Sequence, residues 1–222
     1  MPRSPEDNQR IRDARRDELL RAAEQVFATK GFAQTRMSAI AAAAGVSHGL
    51  LYHYFPSKDA LFGALIDEMM GRIAEDFDDD DGSPLERLER TLTRSLERVK
   101  ESPNPNRLVT QTMLMGGVPA ALRERAMAHG AGLVRQMVEL ISACQASGEI
   151  ASTIDADQLA SVFICTFRGM SIRPTDAPAE LPFPHPSLET LLSLLQPVEK
   201  PSAATPPPRG RARAKKKKSK VR

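Results

Sequence analysis

Apolar residues recur along this chain at spacings of three and four, the period of helices that bury one face. The first stripe, Ile11, Leu19, Leu20, Ala23, Val26 and Phe27, predicts a helix over about 11–30, with Arg15, Arg16 and Asp17 off the stripe. Met37, Ile40, Ala41 and Ala44, then Leu51 and Phe55, mark two short helices. From Lys58, the positions Leu61, Phe62, Leu65, Ile66, Met69, Met70 and Ile73 predict about four turns. Such a helix spans roughly 25–30 Å, long enough to connect the short N-terminal helices to the rest of the chain. Ser83-Pro84 opens another, with Leu85, Leu88, Leu92, Leu96 and Val99 as its stripe. Further helices are predicted over about 106–115, 119–147, 155–170 and 187–195, and Gly130 and Gly132 mark where the second of these can break. No segment alternates apolar and polar residues for the length of a strand, and no internal repeat appears. The chain reads as all-α.

The stretch from Thr35 to Leu61 carries the sharpest local signals. Thr35 is placed to cap one short helix, Gly45 supplies the left-handed geometry that ends it, and Ser47 caps the next. Val46 before that cap and Leu51 after it have the positions of a hydrophobic staple, and Pro56 stops the second helix. Two stapled short helices around a glycine turn describe a helix-turn-helix, whose second helix lies in the DNA major groove. Its first turn, Ser47, His48, Gly49 and Leu50, faces outward, followed by Tyr52, His53 and Tyr54, while Leu51 and Phe55 face the core. Thr35, Arg36 and Ser38 can touch phosphate or a base from the preceding helix, and Arg10, Arg12, Arg15 and Arg16 can reach phosphate or stay a solvated face.

The string Ile40-Ala41, Ala44-Gly45-Val46-Ser47, Gly49, Leu51-Tyr52, Tyr54-Phe55 and Ser57-Lys58 resembles the N-terminal DNA-binding domain of the TetR/AcrR family of transcriptional regulators, and Phe27 and Gly31-Phe32 sit where that family's first helix ends. The match covers about residues 14–62. The resemblance implies an N-terminal three-helix helix-turn-helix domain followed by a helical-bundle ligand-binding and dimerisation domain, divided here as 11–57 and 58–197. Residues 1–10 and 198–222 read as disordered ends. The resemblance also implies a homodimer that binds a double-stranded DNA operator and a small effector, as a repressor; two distant cysteines and no signal or membrane segment read as a cytoplasmic setting. By the same resemblance His48, Gly49 and Leu50 match base-reading positions, Tyr52 and Tyr54 match phosphate- and groove-contacting ones, and Lys58 matches a backbone clamp whose loss leaves folding intact. The dimer is expected to pair through the last two helices, with Phe163, Phe167, Leu188, Leu191, Leu192 and Leu195 in the interface.

Composition narrows the remaining classes. The chain is 41% hydrophobic without tryptophan, enough for a core of Leu, Ile, Val, Ala, Met and Phe. No apolar run approaches transmembrane length, and the charged N-terminus lacks the apolar centre of a signal peptide, so no membrane partner is expected. Cys144 and Cys165 make no metal or redox motif, and buried structural thiols are the common case. The run from Asp76 to Gly82 fails the calcium-loop pattern in either register and reads as an exposed acidic loop. No nucleophile elbow, phosphate-cradling loop, zinc-protease motif or paired carboxylates appears, so neither an enzyme nor a cofactor or metal is expected. Met113, Met115, Met127, Met137, Phe163, Phe167 and Met170 are adaptable apolar side chains that fit a pocket for a largely apolar effector, with His129, Arg168 and Arg173 to orient a polar group. The same residues fit an ordinary bundle core, and the pattern alone does not choose.

Charge is divided unevenly. Residues 1–60 carry nine basic and seven acidic side chains, residues 61–208 carry 13 and 21, and the last 14 residues carry nine and none. A tail of that charge offers an alternative function, general nucleic-acid binding without sequence preference. Deleting residues 201–222 should leave any preferred DNA sequence unchanged but weaken binding to random DNA and flatten its dependence on salt. Equal salt slopes for the full and shortened chains on random DNA would mean the tail does not touch DNA.

Overall fold

A computed structural model of the chain describes residues 4–102, 104, 108–110, 112, 117–170 and 185–196. Every regular element among them is helical: α1 (Pro5–Gln34), α2 (Met37–Ala43), α3 (His48–Tyr54), α4 (Lys58–Ala74) with a closing 3-10 turn (Glu75–Phe77), α5 (Pro84–Glu101), α6 (Ala120–Ser147), α7 (Ala156–Met170) and α8 (Leu188–Ser193). Residues 108–110 and 112 are helical too; the rest of the helix expected over 106–115, and the tail, lie outside the described residues.

Helix α1 starts earlier than its apolar stripe predicts. The Ser4 hydroxyl accepts from Asp7 N–H at 3.1 Å, Pro5 opens the first turn, and Glu6 and Asp7 complement the helix dipole there. Residues 5–10 are therefore helical rather than frayed. They project beyond the core, and so does Ile11, which is 48% exposed although its stripe places it inside. Burial begins at Leu19. Gly31 (φ 73°) breaks the helix, a conformation that glycine reaches without a Cβ penalty. The Thr35 hydroxyl then donates to the Gly31 carbonyl at 2.7 Å, so Thr35 closes the end of α1 and Arg36, not Thr35, stands before α2.

The turn between α2 and α3 follows its sequence signals closely. Gly45 sits at φ 64°, the Ser47 hydroxyl accepts from Leu50 N–H at 3.2 Å, and Val46 packs on the cluster that contains Leu51. Helix α6 runs unbroken through Gly130 and Gly132, because both keep helical geometry and Gly130 is buried against neighbouring helices.

Two apolar clusters result. The first joins Leu19, Leu20, Ala23 and Phe27 of α1 to Ile40, Leu51, Phe55 and the inner face of α4, and takes in Leu108, Val109, Leu122 and Ala126 from further along the chain. The second gathers Leu88, Leu92 and Leu96 of α5, Met137, Ile141 and Cys144 of α6, Phe163 and Phe167 of α7, and Leu191 and Leu195. Phe163, Phe167, Leu191 and Leu195 are thus spent inside one protomer, which corrects their expected place in a dimer interface. The outward side of α7 and α8 carries Val162, Cys165 and Leu194 instead.

The acidic run after α4 is not a free loop. Arg98 Nη2 reaches Asp76 Oδ1 at 2.8 Å, Arg90 Nε and Arg94 Nη2 reach Asp79 Oδ2 at 3.0 and 3.2 Å, and Arg87 Nη2 reaches Asp80 at 2.8 Å. Four arginines three or four residues apart on α5 form one ridge against the loop. The backbone N–H of Asp81, then the Arg90 side chain, hold the Asp79 carboxyl below its ordinary range.

Both cysteines are free thiols in different settings: Cys144 is buried and Cys165 exposed, so they do not form a facing redox pair. Burial first, and then the Glu149 charge, push the Cys144 thiol up to about 11. Near pH 8 a water-soluble thiol reagent should label Cys144 only on unfolding, because the thiolate is the nucleophile. Labelling of Cys144 in the folded protein as fast as after denaturation, read by peptide mass, would contradict this burial.

Candidate nucleic-acid interface and the cavity behind it

Helix α3 is held from beneath. Leu51 is fully buried and Phe55 is 4% exposed, and the Arg16 guanidinium of α1 lies 5.7 Å from the centre of the Phe55 ring. With that face fixed, Ser47, His48, Gly49, Tyr52 and His53 point outward and are exposed, while Leu50 is half-buried. His48 and Tyr52 stack edge to face at 4.7 Å, so two side chains one turn apart form a single aromatic ridge. Tyr54 is half-buried against the core with His53 edge-on at 5.6 Å, so its ring contributes packing on one side. Arg36 and Ser38 are exposed beside this surface.

Gly49 has ordinary helical backbone, and a Cβ there would meet nothing within 4 Å. The fold itself does not require glycine at this place, although glycine inside a helix costs about 0.5–1 kcal/mol relative to alanine.

Two of the sequence-predicted contacts are differently occupied. Thr35 is 2% exposed with its hydroxyl bonded to Gly31, so its side chain cannot reach a phosphate as placed. Lys58 Nζ donates to the carbonyls of Phe32 and Thr35 at 2.9 and 3.2 Å and lies 4.2 Å from the centre of the Phe32 ring. The Phe32 carbonyl also accepts the Thr35 N–H at 3.3 Å, so the lysine adds a second donor there and supplies one to the Thr35 carbonyl where α1 ends.

Behind this head, α4, α5, α6 and α7 enclose a cavity of about 80 Å³. Among the effector residues expected from the sequence, Met137, Phe167 and Arg168 line it together. Phe163 is fully buried in the second cluster instead, Met127 is 59% exposed, and Met113, Met115 and Arg173 lie outside the described residues. His129 faces a separate surface recess, with Nε2 3.0 Å from Asp67 Oδ1, and Arg125 Nε donates to the same oxygen at 2.6 Å. That ionic cluster fastens α4 to α6. Sequence reasoning missed Met70, Ser95 and Arg98, which also line the cavity. Met70 was legible as buried, but only the packing of α4 and α5 against the 3-10 turn and α6 brings it to the same cavity as Arg98.

An N-terminal glycine-turn pair of helices on a three-helix core, continued by an all-helical body, defines the class of helix-turn-helix regulatory folds. The sequence profile of the bacterial regulatory proteins of the tetR family matches residues 19–65. RutR of Escherichia coli K12, an HTH-type transcriptional regulator, is 30% identical over 145 residues, covering 62% of this chain and 65% of RutR. The chain thus spans slightly under two thirds of that relative. KstR2 of Mycobacterium tuberculosis, an HTH-type transcriptional repressor, is 37% identical over 92 residues, 40% of this chain and 46% of KstR2. The structure of Salmonella enterica GusR superposes with a TM-score of 0.59 at 30% identity, over 72% of this chain and 83% of GusR. The chain belongs to the TetR family.

Replacing Lys58 by Met should lower stability by about 1–2 kcal/mol, since two hydrogen bonds from a charged donor are lost while the aliphatic stem stays. A lysine that served only as a phosphate clamp would show no such loss. Unchanged thermal or denaturant midpoints for Lys58→Met would show that these bonds contribute nothing and leave Lys58 free for another role.

Proposed function

We propose that the protein is a sequence-specific DNA-binding transcriptional regulator, a repressor released from its operator by a small, largely apolar effector. The observation that carries the reading is α3: seven residues, anchored by Leu51 and Phe55, with His48, Gly49, Tyr52 and His53 turned outward. Exposed aromatic and imidazole groups on a rigid helix suit base edges and phosphates of the major groove. The unneeded Gly49 has a purpose if a partner's backbone approaches there. Leu50 is placed to meet a thymine methyl, and Arg36, Ser38, Ser47 and Tyr54 flank the same groove. RutR and KstR2 carry the names of a regulator and a repressor, which supports the direction of the effect.

One recognition helix reads only a few base pairs, so the protein acts as a homodimer on a roughly palindromic site. The pairing face is the outward side of α7 and α8, with Val162, Cys165 and Leu194. The effector occupies the cavity lined by Met137, Phe167 and Arg168. Helix α4 runs from the end of the helix-turn-helix to that cavity, and an effector acts by favouring one placement of the heads over another. The division at 57/58 stays a functional boundary, although the apolar core runs across it.

Genomic fragments retained by the purified protein supply the test. Tyr52→Ala should weaken binding to the enriched sequence and lower the salt slope by about one unit per protomer. His48→Ala should relax preference at particular base pairs at a cost of about 1–3 kcal/mol. Sedimentation should show two protomers per site. No enriched sequence at raised salt, or both variants binding unchanged, would leave tail-driven binding as the better description.

A further inference from the structure

We infer that the cavity between α4, α5, α6 and α7 takes a small monocarboxylate with an apolar body; this rests on the effector reading above and adds the ligand's charge, size and contacts. Its walls are apolar, formed by Met70, Leu133, Met137 and Phe167, but two guanidinium groups, Arg98 and Arg168, also line it. Among the described residues no carboxylate lines it. Arg98 is held by Asp76 at 2.8 Å, from the 3-10 turn outside the cavity. Arg168 is half-buried and, among the described residues, makes no ion pair or hydrogen bond. Among the described residues the cavity therefore carries one positive charge that no carboxylate neutralises.

Taking a charge partly out of water without a partner is unfavourable, and a carboxylate matches a guanidinium with two parallel hydrogen bonds. A neutral ligand would leave Arg168 uncompensated. A phosphate monoester would bring close to two charges against one. Size points to a small ligand: about 80 Å³ is roughly half the volume of an apolar cavity that binds benzene, so a short acyl chain fits and a ring needs the adaptable Met70 and Met137 to shift.

Arg98 connects this anion to the head. Asp76 follows α4 directly and is 6% exposed, and its Oδ2 has no hydrogen-bond partner. A carboxylate that also engages Arg98 competes for the guanidinium that anchors the end of α4, the helix leading back to α3.

The test compares charge at constant shape. Full-length protein is titrated with hexanoate and benzoate, with 1-hexanol and benzyl alcohol, and with hexanoyl-CoA, reading thermal midpoint and calorimetric affinity. The carboxylates should bind about ten-fold or more tightly than their alcohols. Arg168→Met should abolish that difference while keeping the alcohols' affinity, and Arg168→Lys should restore part of it. Because the acid–alcohol comparison is made in the native protein, the outcome does not depend on a variant folding. Equal binding of acids and alcohols would overturn the charge assignment while leaving the cavity as an effector site. Binding of hexanoyl-CoA without hexanoate would overturn it in favour of a thioester. Binding of none of the five would remove the effector reading, and this inference with it.

Discussion

The joint between α1 and α4 is the contact on which the rest of the molecule depends. Phe27 and Phe32 of α1 meet Phe62 of α4 edge to face at 4.8 and 5.0 Å, and Lys58 lies over the outer ring with its ammonium on the carbonyls of Phe32 and Thr35. Buried aromatic pairs contribute about 0.5–1.5 kcal/mol each beyond the area they remove from water. The joint sits where Gly31 ends the regular helix, so it fixes the path of the chain into α2 as well as the angle of α4. Since α3 packs through Leu51 and Phe55 on the same cluster, its orientation follows from that joint.

The consequence is a head that shares its core with the first part of the body. Leu122 and Ala126 of α6 belong to the same apolar cluster as Phe27 and Ile40, and the Asp67 carboxylate on α4 engages both Arg125 and His129 of α6. Beyond it, the arginine ridge of α5 gathers Asp76, Asp79 and Asp80. Exposed pairs of this kind stabilise little singly, but a ridge sharing one loop acts as a network. Helix α4 is therefore held at three places: by aromatic rings at its start, by an ionic cluster in its middle and by arginines at its end. A change at any one can shift its position relative to the others only by breaking specific contacts, which suits a switch with discrete states rather than a compliant hinge.

The outward face of α3 and the cavity differ in what they offer a ligand. The first is rigid because its buried side is fully spent, and its chemistry is that of exposed His48, Tyr52 and His53. The second is lined by apolar side chains together with Arg98 and Arg168. Linking them through α4 requires no moving loop, only the packed elements already described.

Much of this was legible in residue order. The period of apolar positions gave the helices, Gly45 and Ser47 gave the turn, and the Leu51/Phe55 pair separated the inner from the outer face of α3, because helix geometry and capping are local and depend on neighbours within four residues. Tertiary structure decided the rest. Thr35 had the composition of a cap but was drawn to Gly31 by the break in α1. Lys58 had the chemistry of a phosphate clamp but found two carbonyls at the end of α1, 23 and 26 residues earlier. Phe163 and Leu191 read as interface residues until packing placed them inside, and nothing in residue order pairs Arg98 with Asp76, 22 positions earlier. Periodicity states that a side chain is turned inward or outward on its own helix. Which helix it then faces, and whether a charge finds a counter-ion there, depends on contacts between segments far apart in the chain.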